Sequence, residues 1–141
     1  MSLNNIFGIA GTAMNSQLVR LNLTSSNLAN AGTSASSPDT AFKAKRPVFQ
    51  AILDQAQANP GFNAVGGVKI KSIMTDQTTN PKQYEPSNPN ADKDGYLFKS
   101  NVNEVSEMVE MMSASRSYQN NVEVVNTARE LMSRTVDMLK T

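Results

Sequence analysis

Two terminal segments of the chain repeat their apolar residues at helical spacing. In the first segment, Leu3 to Asn30, four apolar residues recur at intervals of seven and a fifth fills an intervening position, the set being Phe7, Met14, Leu18, Leu21 and Leu28. This spacing places the side chains on one face of an α-helix. The pattern predicts an N-terminal helix within residues 1–34 whose apolar stripe packs against another helix.

The last segment, Val102 to Leu139, has the stronger helical pattern, because no proline or glycine interrupts it. One row of apolar residues recurs at intervals of seven and consists of Met111, Tyr118, Val125, Met132 and Leu139. A second row lies at intervening positions and consists of Met108, Val122 and Val136. Asn101 and Glu104 have the spacing of a capping box, which predicts a helix start within residues 101–141. Such a helix is about 57 Å long, too long for a small domain to cover with its own chain.

The middle of the chain has a different composition. Residues 35–46 are small and polar with one proline, which predicts an extended linker. Within residues 47–100, short strands are predicted at Pro47–Phe49, Val68–Lys71 and Tyr96–Phe98. The stretch Gln50–Asn59 fits either a short helix or a strand. The predicted fold class is mainly α, with long N- and C-terminal helices that pair as a coiled coil and a small, irregular middle domain that contains β-structure.

Charged side chains are scarce at the N-terminal end, where residues 1–40 contain only Arg20 and Asp39. A helix on a protein surface usually carries Lys and Glu on its outer face. The N-terminal segment has small and uncharged polar residues there, and each of its two glycines costs about 1 kcal/mol relative to alanine. We therefore expect other protein to cover this helix on nearly every side.

The composition excludes most enzyme classes. The 141 residues include no His and no Cys, which removes Ser-His-Asp and Cys-His nucleophile systems, disulfides and ordinary zinc sites. A net charge of +1 gives no reason to expect a nucleic acid partner. The N-terminus lacks the pattern of a secretory signal peptide, and no apolar run approaches the roughly 20 residues of a membrane span. We expect no cofactor, no bound metal and no small-molecule substrate.

Two charged clusters have the composition of known ligand sites. Asn90 to Gly95 resembles the start of a calcium-binding loop, but Asn101 stands where the bidentate glutamate is required, so a polar turn before a strand is the better interpretation. The basic run Lys43 to Arg46 lacks clustered aromatic residues. It is interpreted as a solvated patch or a subunit contact rather than a phosphate site.

The acidic and amide residues of the two helices have structural interpretations. Glu104, Glu107 and Glu110 are spaced as a solvated helix face, not as an acid–base set. Asn27 and Asn30 lie three residues apart at the end of the first helix and share one face. They are either surface residues or amides that fix the register of packed helices, as a buried Asn does in a coiled coil.

The ends of the chain resemble a known family. Ser26 to Thr33, with the sequence SNLANAGT, is similar to the N-terminal signature of bacterial flagellar axial proteins. The C-terminal part of this chain is similar to the other half of that family in five short segments, Asp94–Tyr96, Asn101–Val105, Glu107–Val109, Ser115–Asn121 and Asn126–Ala128. The segments Pro47–Phe49 and Tyr84–Pro89 resemble the proximal rod proteins of the C type.

The resemblance implies a structural subunit of the flagellar rod. It implies export through the flagellar type III apparatus without a cleaved signal peptide, and assembly into a rod that spans the periplasm and transmits motor torque to the hook. The implied partners are other rod proteins, a rod-adaptor protein at the base, the export apparatus and further copies of the same chain. We expect the apolar rows of both helices, with Asn27 and Asn30, to form the subunit interface and coiled coil.

Three alternatives remain at this point. The first is a different axial protein, such as a B-type rod protein or a hook-associated protein. The second is a cytoplasmic coiled-coil adaptor, and the third is an enzyme. The adaptor predicts charged outer faces on both helices, which residues 1–38 contradict. An enzyme requires a polar cleft with pKa-tuned residues, and the sequence contains no such constellation.

Overall fold

The computed structural model describes residues 3–52 and 66–139, so most of the undecided stretch Gln50–Asn59 lies outside the described residues. The described elements, in chain order, are helix α1 (Leu3–Ala29), strands β1 (Ser34–Ala35), β2 (Lys45–Ile52), β3 (Gly67–Thr75), β4 (Lys82–Tyr84) and β5 (Tyr96–Lys99), and helix α2 (Glu104–Met138). The predicted fold class is confirmed, since two long terminal helices enclose a small middle region with short strands.

The two helices pack against each other in antiparallel directions. Asn27, near the end of α1, contacts Glu107 in the first turn of α2. Ile6, near the start of α1, lines a groove together with Leu131, near the end of α2. Helix α1 has 27 residues and α2 has 35, so α2 is about 52 Å long and extends past the start of α1.

Helix α1 is covered by its own chain on two sides, by α2 and by the β2–β3 hairpin. Ala10, Ser16, Thr24 and Asn27 are buried between these elements. On the hairpin side, the amide of Val68 donates to Thr12 Oγ1 at 3.3 Å, and the Ser16 hydroxyl donates to the carbonyl of Val68 at 3.5 Å. The low charge of the N-terminal helix is thus explained in part by contacts within one chain.

The strands form two separate antiparallel sheets. Strands β2 and β3 form a long hairpin with pairs from Lys45–Thr75 to Ile52–Gly67 and an irregularity between Val48 and Phe49. The other sheet has the order β1-β5-β4, with Leu97 and Phe98 buried. All three predicted strands lie within observed strands, namely β2, β3 and β5.

Two local features differ from the sequence-based expectation. The segment 35–46, expected to be an extended linker, contains a turn at residues 38–40 and buries Ala41 and Ala44. The predicted capping box is wrong. The N-cap of α2 is Asn103, whose side chain accepts from the amide of Ser106, because the side chain of Asn101 is bonded elsewhere.

Neither terminal helix combines the length and the apolar character that a membrane span requires; this finding covers residues 3–52 and 66–139.

Candidate assembly site

The apolar rows predicted for the subunit interface divide into a covered and an uncovered part. The half-buried members are Phe7, Met14, Leu21 and Leu28 on α1 and Met111, Tyr118, Val122 and Val125 on α2. The exposed members are Leu18, Met108, Met132, Val136 and Leu139. Besides Glu107, the buried residues of α2 are Ala114 and Ala128, neither of which is among the residues predicted for the interface. Small residues are expected where two helices approach most closely, and they leave no apolar signature in the sequence.

The last quarter of α2 is an uncovered helix end. Every residue from Arg129 to Leu139 is exposed, and the exposed fraction of Leu139 reaches 82%. Met132 and Leu139 continue the same sevenfold row as Tyr118 and Val125, which are half-buried. We call Met132, Val136 and Leu139 the overhang face. The predicted pairing of the two apolar rows does not extend to Leu139 within one chain, because α2 continues beyond the start of α1.

A second uncovered apolar surface lies on the first turns of α2. It consists of Val105, Met108, Val109 and Met112, all exposed, with Val105 at 72%. Their spacing places them on one side of the helix, opposite the buried Glu107 and Ala114. Helix α2 consequently presents apolar surface on two sides, only one of which its own chain covers.

Asn27 joins α1 to both β2 and α2. Its Oδ1 accepts from the amide of Lys45 at 2.8 Å, and its Nδ2 donates to the carbonyl of the same residue at 2.9 Å. Nδ2 also donates to Glu107 Oε2 at 3.1 Å, and only 1% of Asn27 is exposed. Asn30, which is half-buried, donates instead to the carbonyl of Ser26 at 2.8 Å within the same helix end. The two amides share one face but have different partners.

The interpretation of the acidic residues as a solvated face is wrong for Glu107 and holds only in part for Glu110, whose side chain is 40% exposed. Glu107 is 1% exposed, and its Oε1 lies 3.1 Å from Nη2 of Arg46. Glu110 forms an ion pair with Arg20 of α1. Glu104 is exposed. The acidic row lies along the helix contact, and each buried or half-buried carboxylate meets a cation contributed by another element.

Two further asparagines hold the segment before β2. Asn80 was not predicted as a functional residue, and Asn101 was predicted only as a helix cap. Asn101 Oδ1 accepts from the amide of Ala44 at 2.7 Å, and its Nδ2 donates to the carbonyl of Thr78 at 3.0 Å. Asn80, which is 3% exposed, donates through Nδ2 to the carbonyls of Phe42 at 3.0 Å and Lys99 at 2.7 Å. The short segment Phe42–Lys45 is therefore held by its main chain rather than by its side chains.

The remaining polar clusters are local structures. Asp92 Oδ1 accepts from the amides of Asp94 and Tyr96, which closes a polar turn before β5, and Gly95 adopts a φ of 81° there. In residues 3–52 and 66–139, no three His, Cys, Asp or Glu side chains come together as a metal site.

Arg46, the last residue of the basic run, lies 3.8 Å from Asp76 in addition to its pairing with Glu107. Hydrogen bonds from the hydroxyl and the amide of Thr78 lower the pKa of the Asp76 carboxyl, and Arg46 lowers it further. The basic run is thus partly used within the chain.

Comparison with known proteins gives consistent matches at both ends and over the whole chain. Residues 7–34 match the family model described as flagella basal body rod protein, and residues 93–138 match the one described as flagellar basal body rod FlgEFG protein C-terminal. The first matched region contains most of α1, and the second contains β5 and nearly the whole of α2.

Full-length relatives are similar over nearly all of their length. The flagellar basal-body rod protein FlgC of Salmonella typhimurium is 46% identical over 138 residues, covering 98% of each chain. FlgC of Yersinia enterocolitica is 44% identical, also covering 98% of each chain. FlgC of Buchnera aphidicola subsp. Schizaphis graminum is 41% identical over 140 residues with the same coverage.

Proposed function

Since this chain belongs to the family of flagellar basal-body rod proteins and is a structural rod subunit, we propose that it polymerises through its terminal helices into the proximal rod and transmits motor torque to the hook. The relatives are structural proteins rather than enzymes. We infer that this chain has no catalytic role either, and the absence of His and Cys from its sequence supports that inference.

The observation that carries the proposal is the overhang face. Met132 and Leu139 continue one apolar row of α2 and Val136 continues the other, yet all three are exposed, whereas Val122 and Val125 are half-buried. Burying such a side chain contributes about 1.5–3 kcal/mol, so a helix from a neighbouring subunit gains several such contributions by covering the face. A contact between one patch of a subunit and a different patch of the next gives an open helical assembly when the rotation between subunits does not close into a ring.

The family gives the general location and association of the chain, and its specific partners and route of export are proposed here. The family places the chain in the flagellar basal body, in association with other basal-body components. We propose that its neighbours are other proximal and distal rod proteins, the rod-adaptor protein at the base and further copies of itself. We also propose that the rod spans the periplasm and that the type III apparatus exports the chain without a cleaved signal peptide.

The double variant Met132→Asp with Val136→Asp tests the proposal. Both side chains are already exposed, so the fold of the single chain should be retained while the assembled contact is lost. The measurement compares secreted chain with basal-body-bound chain in the same cells. We expect normal secretion, loss of incorporation and loss of swimming.

Ser133→Asp is the matched control, because Ser133 is exposed on the same helix end but lies outside the overhang face. It should leave incorporation unchanged. Wild-type incorporation of the Met132→Asp, Val136→Asp variant would show that the overhang face is not a subunit contact. A secretion defect in that variant would place these residues in the export signal and would also contradict the proposal.

The double variant Asn27→Ala with Asn30→Ala tests the junction in the same assay. Loss of one partner of a buried hydrogen bond costs about 1–3 kcal/mol, and the loss recurs at every subunit of a filament. We expect near-normal secretion with greatly reduced incorporation into the rod. Normal incorporation would show that neither amide is required for assembly of the rod.

A further inference from the structure

The segment Phe42–Lys45, which we call the strap, is held by three asparagines from three parts of the chain. Asn27 belongs to α1, Asn80 precedes β4, and Asn101 precedes α2. Ala44, at the centre of the strap, is fully buried. Because Ala44 has only a methyl group to pack, its position depends mainly on the hydrogen bonds of its main chain.

One peptide group of the strap is bonded from two sides at once. The carbonyl of Ala44 accepts from the amide of Asp76, directly after β3, at 2.7 Å. The amide of Lys45 donates to Asn27 Oδ1, on α1, at 2.8 Å. These two groups belong to the same planar peptide unit, which rotates as one body. If the bond to α1 is lost, the unit is free to turn, and its bond to Asp76 weakens with it.

The neighbouring peptide unit carries the third connection. The amide of Ala44 donates to Asn101 Oδ1 at 2.7 Å, and Asn101 also donates to the carbonyl of Thr78. Asn27 reaches α2 as well, through Glu107. The strap therefore lies where α1, the loop 76–80 and the residues before α2 meet. Asn27, Asp76, Asn80 and Asn101 each bond to its main chain, and α2 is connected to it through the contact of Glu107 with Asn27.

From this geometry we propose that the strap couples the folding of α1 onto α2 to the orientation of the β2–β3 hairpin. Strand β2 begins at Lys45, the last residue of the strap, so the direction in which the hairpin leaves the helices is set where Asn27 binds. When α1 is not folded on α2, Asn27 is absent from the junction, and the strap and the hairpin lose their fixed position. The β2–β3 hairpin of a subunit thus takes up a single orientation only after the two terminal helices have paired.

Residue-resolved amide exchange in the full-length chain tests the coupling, because three amides report on different bonds. Lys45 reports on Asn27, Ala44 reports on Asn101, and Asp76 reports on the strap carbonyl. In the Asn27→Ala variant, only Lys45 loses its acceptor directly. Coupling predicts that exchange at all three amides accelerates by tenfold or more. If exchange accelerates only at the amide of Lys45, the three bonds of the strap are independent of one another and the proposal is wrong.

Asn30→Ala is the matched control, since Asn30 lies at the same helix end but donates to Ser26 within α1. It should leave the three reporter amides unchanged. If Asn27→Ala unfolds the whole chain, native-state exchange of the wild-type protein in increasing denaturant replaces it. Coupling predicts that Ala44, Lys45 and Asp76 open together with the amides of α1. Opening of Ala44 together with β5 instead, while Lys45 follows α1, would overturn the proposal.

Discussion

Replacement of Arg46 by alanine should destabilise the protein far more than replacement of its partner Glu107. The side chain of Glu107 is 1% exposed and that of Arg46 is 49% exposed. Arg46→Ala therefore leaves a carboxylate buried without its cation, whereas Glu107→Gln leaves a guanidinium that water can solvate.

The magnitudes follow from this asymmetry. Breaking a buried ion pair by removing one partner costs about 3–5 kcal/mol. We expect about 2–3 kcal/mol for Arg46→Ala, because half of the arginine is solvated and Asn27 still donates to Glu107. Glu107→Gln keeps the shape and an acceptor for Asn27 and should cost about 1 kcal/mol. In the double variant Arg46→Ala, Glu107→Gln no charge is left buried, so about 1–2 kcal/mol should be regained relative to Arg46→Ala alone.

Urea unfolding followed by far-UV circular dichroism measures these differences, provided the slope with denaturant stays constant. Arg134→Ala is the control, because Arg134 pairs with Glu130 at an exposed site of α2 and its loss should cost less than about 0.5 kcal/mol. The reasoning is refuted if Arg46→Ala is no more destabilising than Arg134→Ala. It also fails if the two single effects simply add in the double variant.

Three further outcomes are expected. A Cβ added to Gly67 lies 2.6 Å from Thr12 Oγ1, so Gly67→Ala should lower the free energy of unfolding by about 1–3 kcal/mol. Adding Thr12→Ala to that variant should remove most of the steric part of this loss. Urea unfolding measures both differences. Because the pKa of Asp76 is lower in the folded chain than its ordinary value of 3.8, its contribution to stability is present above that value and is lost as the pH falls below it. In the Asp76→Asn variant, the free energy of unfolding should therefore fall less steeply as the pH is lowered into the acid range. An unchanged pH dependence of that free energy would contradict the lowered pKa of Asp76. Leu21→Asp and Val125→Asp each place a charge on a half-buried position of the helix contact and should abolish swimming in a motility assay, with wild-type motility of either variant the contrary result.

The helices could be predicted from the sequence because periodicity records which side of a helix is apolar. The same periodicity does not show how far a partner helix extends. Tyr118 and Leu139 belong to one row, but Tyr118 is half-buried and Leu139 is almost fully exposed. The reason is that α2 continues beyond the start of α1, so α1 covers only part of the row. The row as a whole could be predicted, while its division into an intramolecular and an uncovered part depends on the relative position of two helices.

The junction could be predicted only in part, because its bonds join residues that are distant in sequence. Asn27 was noticeable as an amide in a charge-poor helix. Glu107 has the spacing of a solvated acidic face, and its burial depends on Asn27 and Arg46, both contributed by other elements. Asn101 and Asn103 are equally good caps by residue type. The choice between them was decided by the strap, which occupies the side chain of Asn101.

The antiparallel direction of the helices has a practical consequence for labelling. The first residues of α1 and the last residues of α2 lie at the same end of the molecule, where the overhang face is also exposed. If a neighbouring subunit covers the overhang face as proposed, a fluorescent protein fused before Leu3 or after Met138 competes with that subunit for the same space. The exposed turn around Pro89 and Asn90 belongs to the other sheet and is the better insertion point for a reporter.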